Sequence, residues 1–147
     1  MSMEDRIFSE LATLFFSTKQ IMRKQMPNNG HTDPNAWLRF ETMRFIGEMK
    51  EPSMQDLAEY LRIKAPSATS LVAHLVEAGF VERKSEAGDK RVVRVALTPH
   101  GKKEVADYMA RSVVTMRKTF SKLDQREVAA LSDILRHLRD AHSKQPK

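Results

Sequence analysis

The run Val93-Arg94-Val95-Ala96-Leu97 alternates with a period of two, directly after a charged stretch around Gly88, and the helix-start signal Thr98-Pro99 follows it. With Phe80-Val81-Glu82-Arg83-Lys84 on the other side of that stretch it is predicted to form a β-hairpin, because β-branched residues at alternate positions suit a half-buried pleated surface. What precedes the hairpin is helical. Ser53 and Asp56 form a capping pair that opens a helix of about two turns with Leu57, Ala58 and Leu61 inward. Arg62-Ile63-Lys64 is too short for anything but a sharp corner between helices. Pro66 starts the next helix and Gly79 stops it. Helix, corner, helix and hairpin in that order make a winged helix-turn-helix, with the charged loop as the tip of the wing. That loop has no apolar anchors because its expected partner is a phosphate backbone and a narrow groove rather than a protein core.

The flanks read as further helices. Ser2 and Asp5 make a capping start, after which Ile7, Leu11, Leu14, Thr18, Ile21 and Gln25 recur at alternating four- and three-residue steps, a seam for helix against helix. Pro27, Gly30 and Pro34 break that helix; Asp33 and Pro34 read as the cap and first residue of the next, which carries Trp37, Phe40, Phe45, Ile46 and Met49. Beyond Pro99 a long helix has Val105, Met109, Val113, Met116 and Phe120 at core spacing, and Asp124 with Glu127 caps a last helix bearing Val128, Leu131, Leu135 and Leu138. The fold class is mainly α with a small β-hairpin wing. We expect a single domain over 1–147, a winged helix-turn-helix DNA-binding region over 37–98, and terminal helices over 1–26 and 99–142. The apolar seams of the terminal helices exceed what one small winged helix can cover. They can pack within one chain or against a second, and the sequence alone leaves both open.

Charge points to the partner. Residues 1–80 hold 9 Lys and Arg against 10 Asp and Glu, whereas residues 81–103 hold 7 against 3 and residues 104–147 hold 9 against 6. The basic excess is densest over the hairpin, which favours a polyanion, with nucleic acid ahead of a membrane because no basic amphipathic helix stands out. A cytoplasmic location is expected: the opening MSMEDRIFSE has acids and no apolar leader core, no apolar run is long enough to span a bilayer, and cysteine is absent. No Gly-x-Ser-x-Gly elbow, phosphate-cradling glycine loop or His-Glu-x-x-His occurs, so no catalytic residues, cofactor or metal site are expected. His31, His74, His100, His137 and His142 lack ligand spacing.

At this point the chain resembles the MarR family of transcriptional regulators. The residues that carry the likeness are LAEYL (57–61), SLVAHLVEAGFVER (70–83), GDKR (88–91) and LTPHGK (97–102). The Asp-x-Arg wing signature is met by Asp89 and Arg91, and the Leu-Thr-x-x-Gly helix start by Leu97, Thr98 and Gly101. The resemblance implies a homodimer with interlocked terminal helices presenting two winged helices to palindromic double-stranded DNA. It also implies a regulator more often repressing than activating. Many members loosen their grip when a small aromatic or phenolic effector binds near the junction of dimer and reader; Trp37, Phe40 and His31 sit where relatives build that pocket. On spacing alone Trp37 and Phe40 read as an aromatic core stripe before they read as a pocket, and His31 as an exposed loop residue.

On a helical wheel from Pro66 to Ala78, residues Ala68, Leu71, Val72, Leu75 and Val76 turn inward. Pro66, Ser70, Ala73 and Glu77 turn away, flanked by Ser67, Thr69 and His74. Ser67, Thr69, Ser70 and His74 are the expected major-groove readers, although small polar residues are also what any solvated helix face carries. This helix has no Lys or Arg, and many relatives have one where Ser70 stands. Bidentate reading of guanine by Arg is therefore excluded for it, leaving thymine-methyl contacts, water bridges and shape. The wing supplies the missing charge through Arg83, Lys84, Lys90, Arg91 and Arg94, with Asp89 pairing Arg91 or Lys90 to hold the loop. For Arg94, phosphate and water are equally good partners. Two other readings are a winged-helix protein-interaction module, whose complexes would ignore salt, and a sequence-tolerant architectural DNA binder, which would not distinguish an operator from random DNA.

Overall fold

A reciprocal cap at Ser53 starts the central helix pair. In the computed structural model, which describes residues 1–26, 35–86 and 88–143, the Asp56 N–H donates to Ser53 Oγ at 3.1 Å and the Ser53 N–H donates to Asp56 Oδ2 at 2.9 Å. Two of the N–H groups that a helix start leaves unpaired are satisfied in this way. Among the described residues the elements are α1 (Met3–Gln25), α2 (Ala36–Met49), α3 (Met54–Leu61), α4 (Ala65–Glu77), β1 (Val81–Glu86), β2 (Asp89–Leu97), α5 (Pro99–Thr119) and α6 (Gln125–Ser143). The expected mainly-α class with a hairpin wing is what the chain adopts. Asp33 and Pro34 lie outside the described residues; α2 begins at Ala36 after Asn35.

The chain divides into two compact units, Asn28–Arg111 and Met1–Pro27 with Ser112–Lys147. In the first, Met43, Ile46, Leu57, Val72, Leu75, Val81 and Val95 form a core, each 3% exposed or less. These residues come from α2, α3, α4 and both strands, so the helix pair and the hairpin share one apolar centre. Arg62 takes a left-handed conformation (φ 53°) between α3 and α4, which lets the Ile63 N–H reach the Ala58 carbonyl at 3.1 Å and turns the chain within three residues. Gly79 (φ 79°) does the same after α4, and the Phe80 N–H closes on the Leu75 carbonyl at 3.0 Å.

The strands are antiparallel, with Val81 opposite Leu97, Arg83 opposite Val95 and Lys84 opposite Arg94. They run further than the alternation alone indicated. Pairing continues to Glu86 and resumes at Asp89 across a register shift after Ser85, and the left-handed Gly88 (φ 95°) tightens the turn. Much of the expected loop is thus strand. The chain just before α3 adds a rung to this sheet, since the Val95 N–H donates to the Pro52 carbonyl at 3.0 Å and Ser53 bridges to Arg94.

Thr98 joins wing to α5. Its hydroxyl donates to the Gly79 carbonyl at 2.6 Å and accepts from the Gly101 N–H at 3.0 Å, while its own N–H donates to the Phe80 carbonyl at 3.0 Å. Phe40 on α2 stacks on Tyr108 of α5 with ring centroids 4.1 Å apart, and Phe45 stacks on Tyr60 of α3 at 4.0 Å.

In the second unit α1 opens on the expected cap, with the Asp5 N–H donating to Ser2 Oγ at 3.0 Å; the Ser2 hydroxyl and N–H donate to Asp5 Oδ2 at 2.8 and 3.0 Å and hold that carboxyl below its ordinary range. Asp124 and Glu127 cap α6 reciprocally, each accepting the other's N–H at 2.9 Å. Neither α1 nor α6 has a buried residue. Ile7, Leu11, Leu14, Leu135 and Leu138, all on the expected seams, are exposed.

Candidate nucleic-acid interface

The outward face of α4 is the one the wheel marked. Ala68, Val72 and Leu75 are buried, while Pro66, Ser67, Thr69, Ser70, Ala73, His74 and Glu77 are exposed. Burial of one stripe is what forces the other outward, and the residues on it are small enough for the helix backbone to approach a surface closely.

Two of these side chains have their protons committed. The Thr69 hydroxyl donates to the Ala65 carbonyl at 3.0 Å. His74 Nδ1 lies 2.8 Å from the Ser70 carbonyl oxygen, which can only accept, so Nδ1 carries the proton. In the neutral ring Nε2 is then a bare acceptor. Thr69 Oγ1 and His74 Nε2 therefore offer lone pairs, the complement of adenine N6 and cytosine N4 in a major groove. Ser67 and Ser70 are exposed on the same face.

The wing cations separate into two groups. At the tip, the Arg91 side chain is 96% exposed. Its backbone N–H donates to Asp89 Oδ1 at 2.9 Å and its Nε lies 3.6 Å from the same oxygen. Asp89 therefore shapes the turn through the Arg91 backbone and leaves most of the guanidinium in solvent. Lys90 is on β2, and its side chain lies outside the described residues. At the base of the wing, Lys84 Nζ is 2.7 Å from Glu51 Oε1 and 3.7 Å from Glu82 Oε1, and the hydrogen bond to Glu51 raises the Lys84 ammonium above its ordinary value. Arg94 Nη1 donates to the Glu51 carbonyl at 3.2 Å. Arg83 is exposed on β1.

Glu51 had no signal in the sequence. It lies 33 residues from Lys84 in the turn that ends α2, and only the folding of that turn onto the hairpin brings them together. The same holds for Arg44, Glu41 and Tyr60. Arg44 ion-pairs with Glu41 and, at 2.6 Å, with Glu48, and the Tyr60 hydroxyl donates to Glu41. The Arg44 hydrogen bond lowers the Glu41 carboxyl, and the Glu41 partnership raises the Arg44 guanidinium. Burial first, and then the Glu41 bond, raises the Tyr60 phenol. This network ties α2 to α3.

Of the aromatic residues expected near an effector, Phe40 is buried against Tyr108, Trp37 is 63% exposed one turn before it, and His31 lies outside the described residues. A cavity of about 520 Å³ opens elsewhere, in the crook of α3 and α4, between Met54, Ala58, Arg62, Ile63 and Thr69. Among the described residues no group of three or more His, Asp or Glu could hold a metal ion, and no helix is long and apolar enough to cross a membrane.

Residues 36–92 match a family model described as "MarR family". A curated relative, an uncharacterized HTH-type transcriptional regulator, YsmB, of Bacillus subtilis (strain 168), is 22% identical over 100 residues, 68% of each chain. Solved structures share the fold. A mutant MarR from E. coli, 24% identical, superposes with a TM-score of 0.71 over 87% of this chain and 95% of that one. Streptococcus pneumoniae FabT in complex with DNA, 18% identical, does so with a TM-score of 0.68 over 95% and 97%.

Proposed function

We propose that this chain, a member of the MarR family, is a transcriptional regulator that binds double-stranded DNA as a homodimer, entering the major groove with α4 and the flanking minor groove with the wing. The observation that carries this reading is the pairing, in one unit, of an exposed small polar face on α4 with a hairpin whose tip holds Arg91 in solvent. Two similar solved structures, of FabT of Streptococcus pneumoniae and of a mutant MarR of E. coli, are complexes with DNA.

Each wing would be held by Arg91, Lys90 and Arg83 against phosphates and a narrow, negative groove, and Ser67, Thr69, Ser70 and His74 would read base edges. Asp89 serves the turn rather than the DNA. Reading by hydroxyls and one imidazole discriminates modestly per base, so specificity comes from two half-sites about 34 Å apart on a palindrome. The support for two chains is α1 and α6, on which every residue is at least partly exposed and large apolar side chains face outward. Contiguous apolar surface of that kind is covered in stable proteins, here by a second copy. The domain roles follow: winged helix over 37–98, dimer helices over 1–26 and 99–142, at work in the cytoplasm.

Repression relieved by a small aromatic or phenolic ligand completes the reading. Phe40 is already engaged by Tyr108, so such a ligand would meet Trp37. Trp37 is the only tryptophan of the chain, and its fluorescence would report binding directly.

Selection of bound fragments from a random duplex library tests the function. Enrichment of a palindrome, bound by a dimer with affinity falling about 10³–10⁵-fold between 50 and 200 mM salt, is the expected result. Binding without sequence preference would make the chain an architectural protein. Failure to bind duplex in dilute buffer overturns the proposal.

A further inference from the structure

Lys84 and Arg94 are direct cross-strand partners at the base of the wing. Two like charges facing each other across an antiparallel pair destabilise it unless an anion stands between them. Glu51 supplies the nearer carboxylate to Lys84, with Glu82 Oε1 more distant at 3.7 Å, and it engages both strands at once. Its carboxylate takes Lys84 Nζ at 2.7 Å and its backbone carbonyl takes Arg94 Nη1 at 3.2 Å.

The position of Glu51 is set by backbone, not by side-chain choice. Lys50 and Glu51 are successive left-handed residues (φ 51° and 64°), an uncommon conformation for side chains with a Cβ. The Val95 N–H then locks Pro52 onto β2 at 3.0 Å. The backbone that carries Glu51 is thus tied to the wing sheet.

We infer that Glu51 is a built-in brake on DNA binding: its carboxylate holds Lys84 Nζ at the base of the wing and so keeps Lys84 from the phosphates that Arg91 and its neighbours contact. The inference rests on the DNA-binding reading above. Lys84 and Glu51 are both about half-exposed, so the pair is not held by strength. A phosphate close enough to take Nζ would meet a carboxylate oxygen at nearly the same point, and repulsion between the two anions withholds the cation. Weaker general attraction to phosphate leaves a larger share of the binding free energy to the reader helix, which makes Glu51 a specificity-determining residue that touches no base.

Glu51→Gln keeps the shape and the Arg94–carbonyl bond and removes only the charge. Binding of the full-length wild type, Glu51→Gln, Lys84→Gln and the double variant is measured against a selected operator and a random duplex across a salt series, with thermal melts to verify folding. Each phosphate newly neutralised steepens the slope of log K against log salt by about 0.9. The expected results are a Glu51→Gln slope steeper by about 0.9 per chain, tighter binding to random duplex, and a smaller ratio of operator to random affinity. The double variant is expected to return to the wild-type slope, and Lys84→Gln alone to keep it. An unchanged slope for Glu51→Gln overturns the brake. So does a shallower slope for Lys84→Gln alone, a result that needs no Glu51 variant to fold. Either outcome leaves wild-type binding intact and so removes only the brake. A wild type that binds no duplex removes the functional reading and the brake with it.

Discussion

Gly101 presents its bare α-carbon to the carbonyl oxygen of Phe80: a Cβ built there would stand 2.0 Å from that oxygen and 2.9 Å from its carbon. The contact exists because the Thr98 N–H donates to the same carbonyl and the Thr98 hydroxyl draws in the Gly101 N–H. Leu-Thr-x-x-Gly is therefore a joint between wing and α5, with threonine supplying the hydrogen bonds and glycine the room.

Gly101→Ala should destabilise the protein even though Gly101 is helical, where alanine ordinarily gains about 1 kcal/mol over glycine. A backbone oxygen cannot yield as a side chain can, so the overpacking cost should reach about 2–4 kcal/mol. Gly47→Ala is the contrast. Its Cβ would lie 3.0 Å from Leu97 Cδ1, a flexible terminus, and the net effect should stay within about 1 kcal/mol of zero. Urea midpoints for the two variants measure both, and equal midpoints would refute the joint.

Arg44→Ala should cost about 1–2 kcal/mol, a charged hydrogen-bond value discounted because solvent reaches a third of the side chain. The pH dependence has a definite sign. Glu41 is lowered from 4.5, chiefly by Arg44, so its contribution is fully present above that value and is lost as pH falls through the lower folded value. Tyr60 is raised from 10.0, chiefly by burial; the same rule applied to a raised group has its contribution present below that value and lost as pH climbs through the folded one. Melting temperature against pH should therefore fall at the acid end, with Arg44→Ala removing part of the fall. Parallel profiles for wild type and variant would contradict this.

Arg91→Ala should weaken binding to all duplexes alike and reduce the salt slope by about 0.9 per chain. Its side chain is 96% exposed and its structural bond to Asp89 is made by backbone, so the melting temperature should not move. Fluorescence anisotropy across a salt series, with a melt beside it, measures both.

Ser70→Ala with His74→Ala should lower the ratio of operator to random affinity while leaving the salt slope alone, since neither neutral side chain neutralises a phosphate. A good contact to one base is worth about 1–3 kcal/mol. Unchanged preference in the double variant would remove α4 from the reading role.

Leu14→Glu should halve the mass seen by sedimentation without loss of helix by circular dichroism. Leu14 is more than half exposed in the single chain, so a charge there costs the monomer little and the dimer much. Operator binding should fall by orders of magnitude with the loss of the second half-site. An intact dimer with full affinity would count against α1 as an interface.

The sequence by itself determined the order and kind of the elements, since helix caps, the turn at Gly79 and two-residue alternation are local in cause. Ser2 with Asp5, Ser53 with Asp56 and Asp124 with Glu127 each bond within three residues of chain, and α4 turned outward the stripe that periodicity assigned. The two ends of Trp37-x-x-Phe40 parted instead, one exposed and one stacked on Tyr108 of α5, because spacing identifies a stripe but not how far its cover extends. Only tertiary structure decided the pairing of Lys84 with Glu51, the Arg44 network between α2 and α3, and the carbonyl that requires Gly101. Those relationships join residues distant in sequence through backbone positions that the shared apolar core sets, and charge or size read along the chain has no means of registering them.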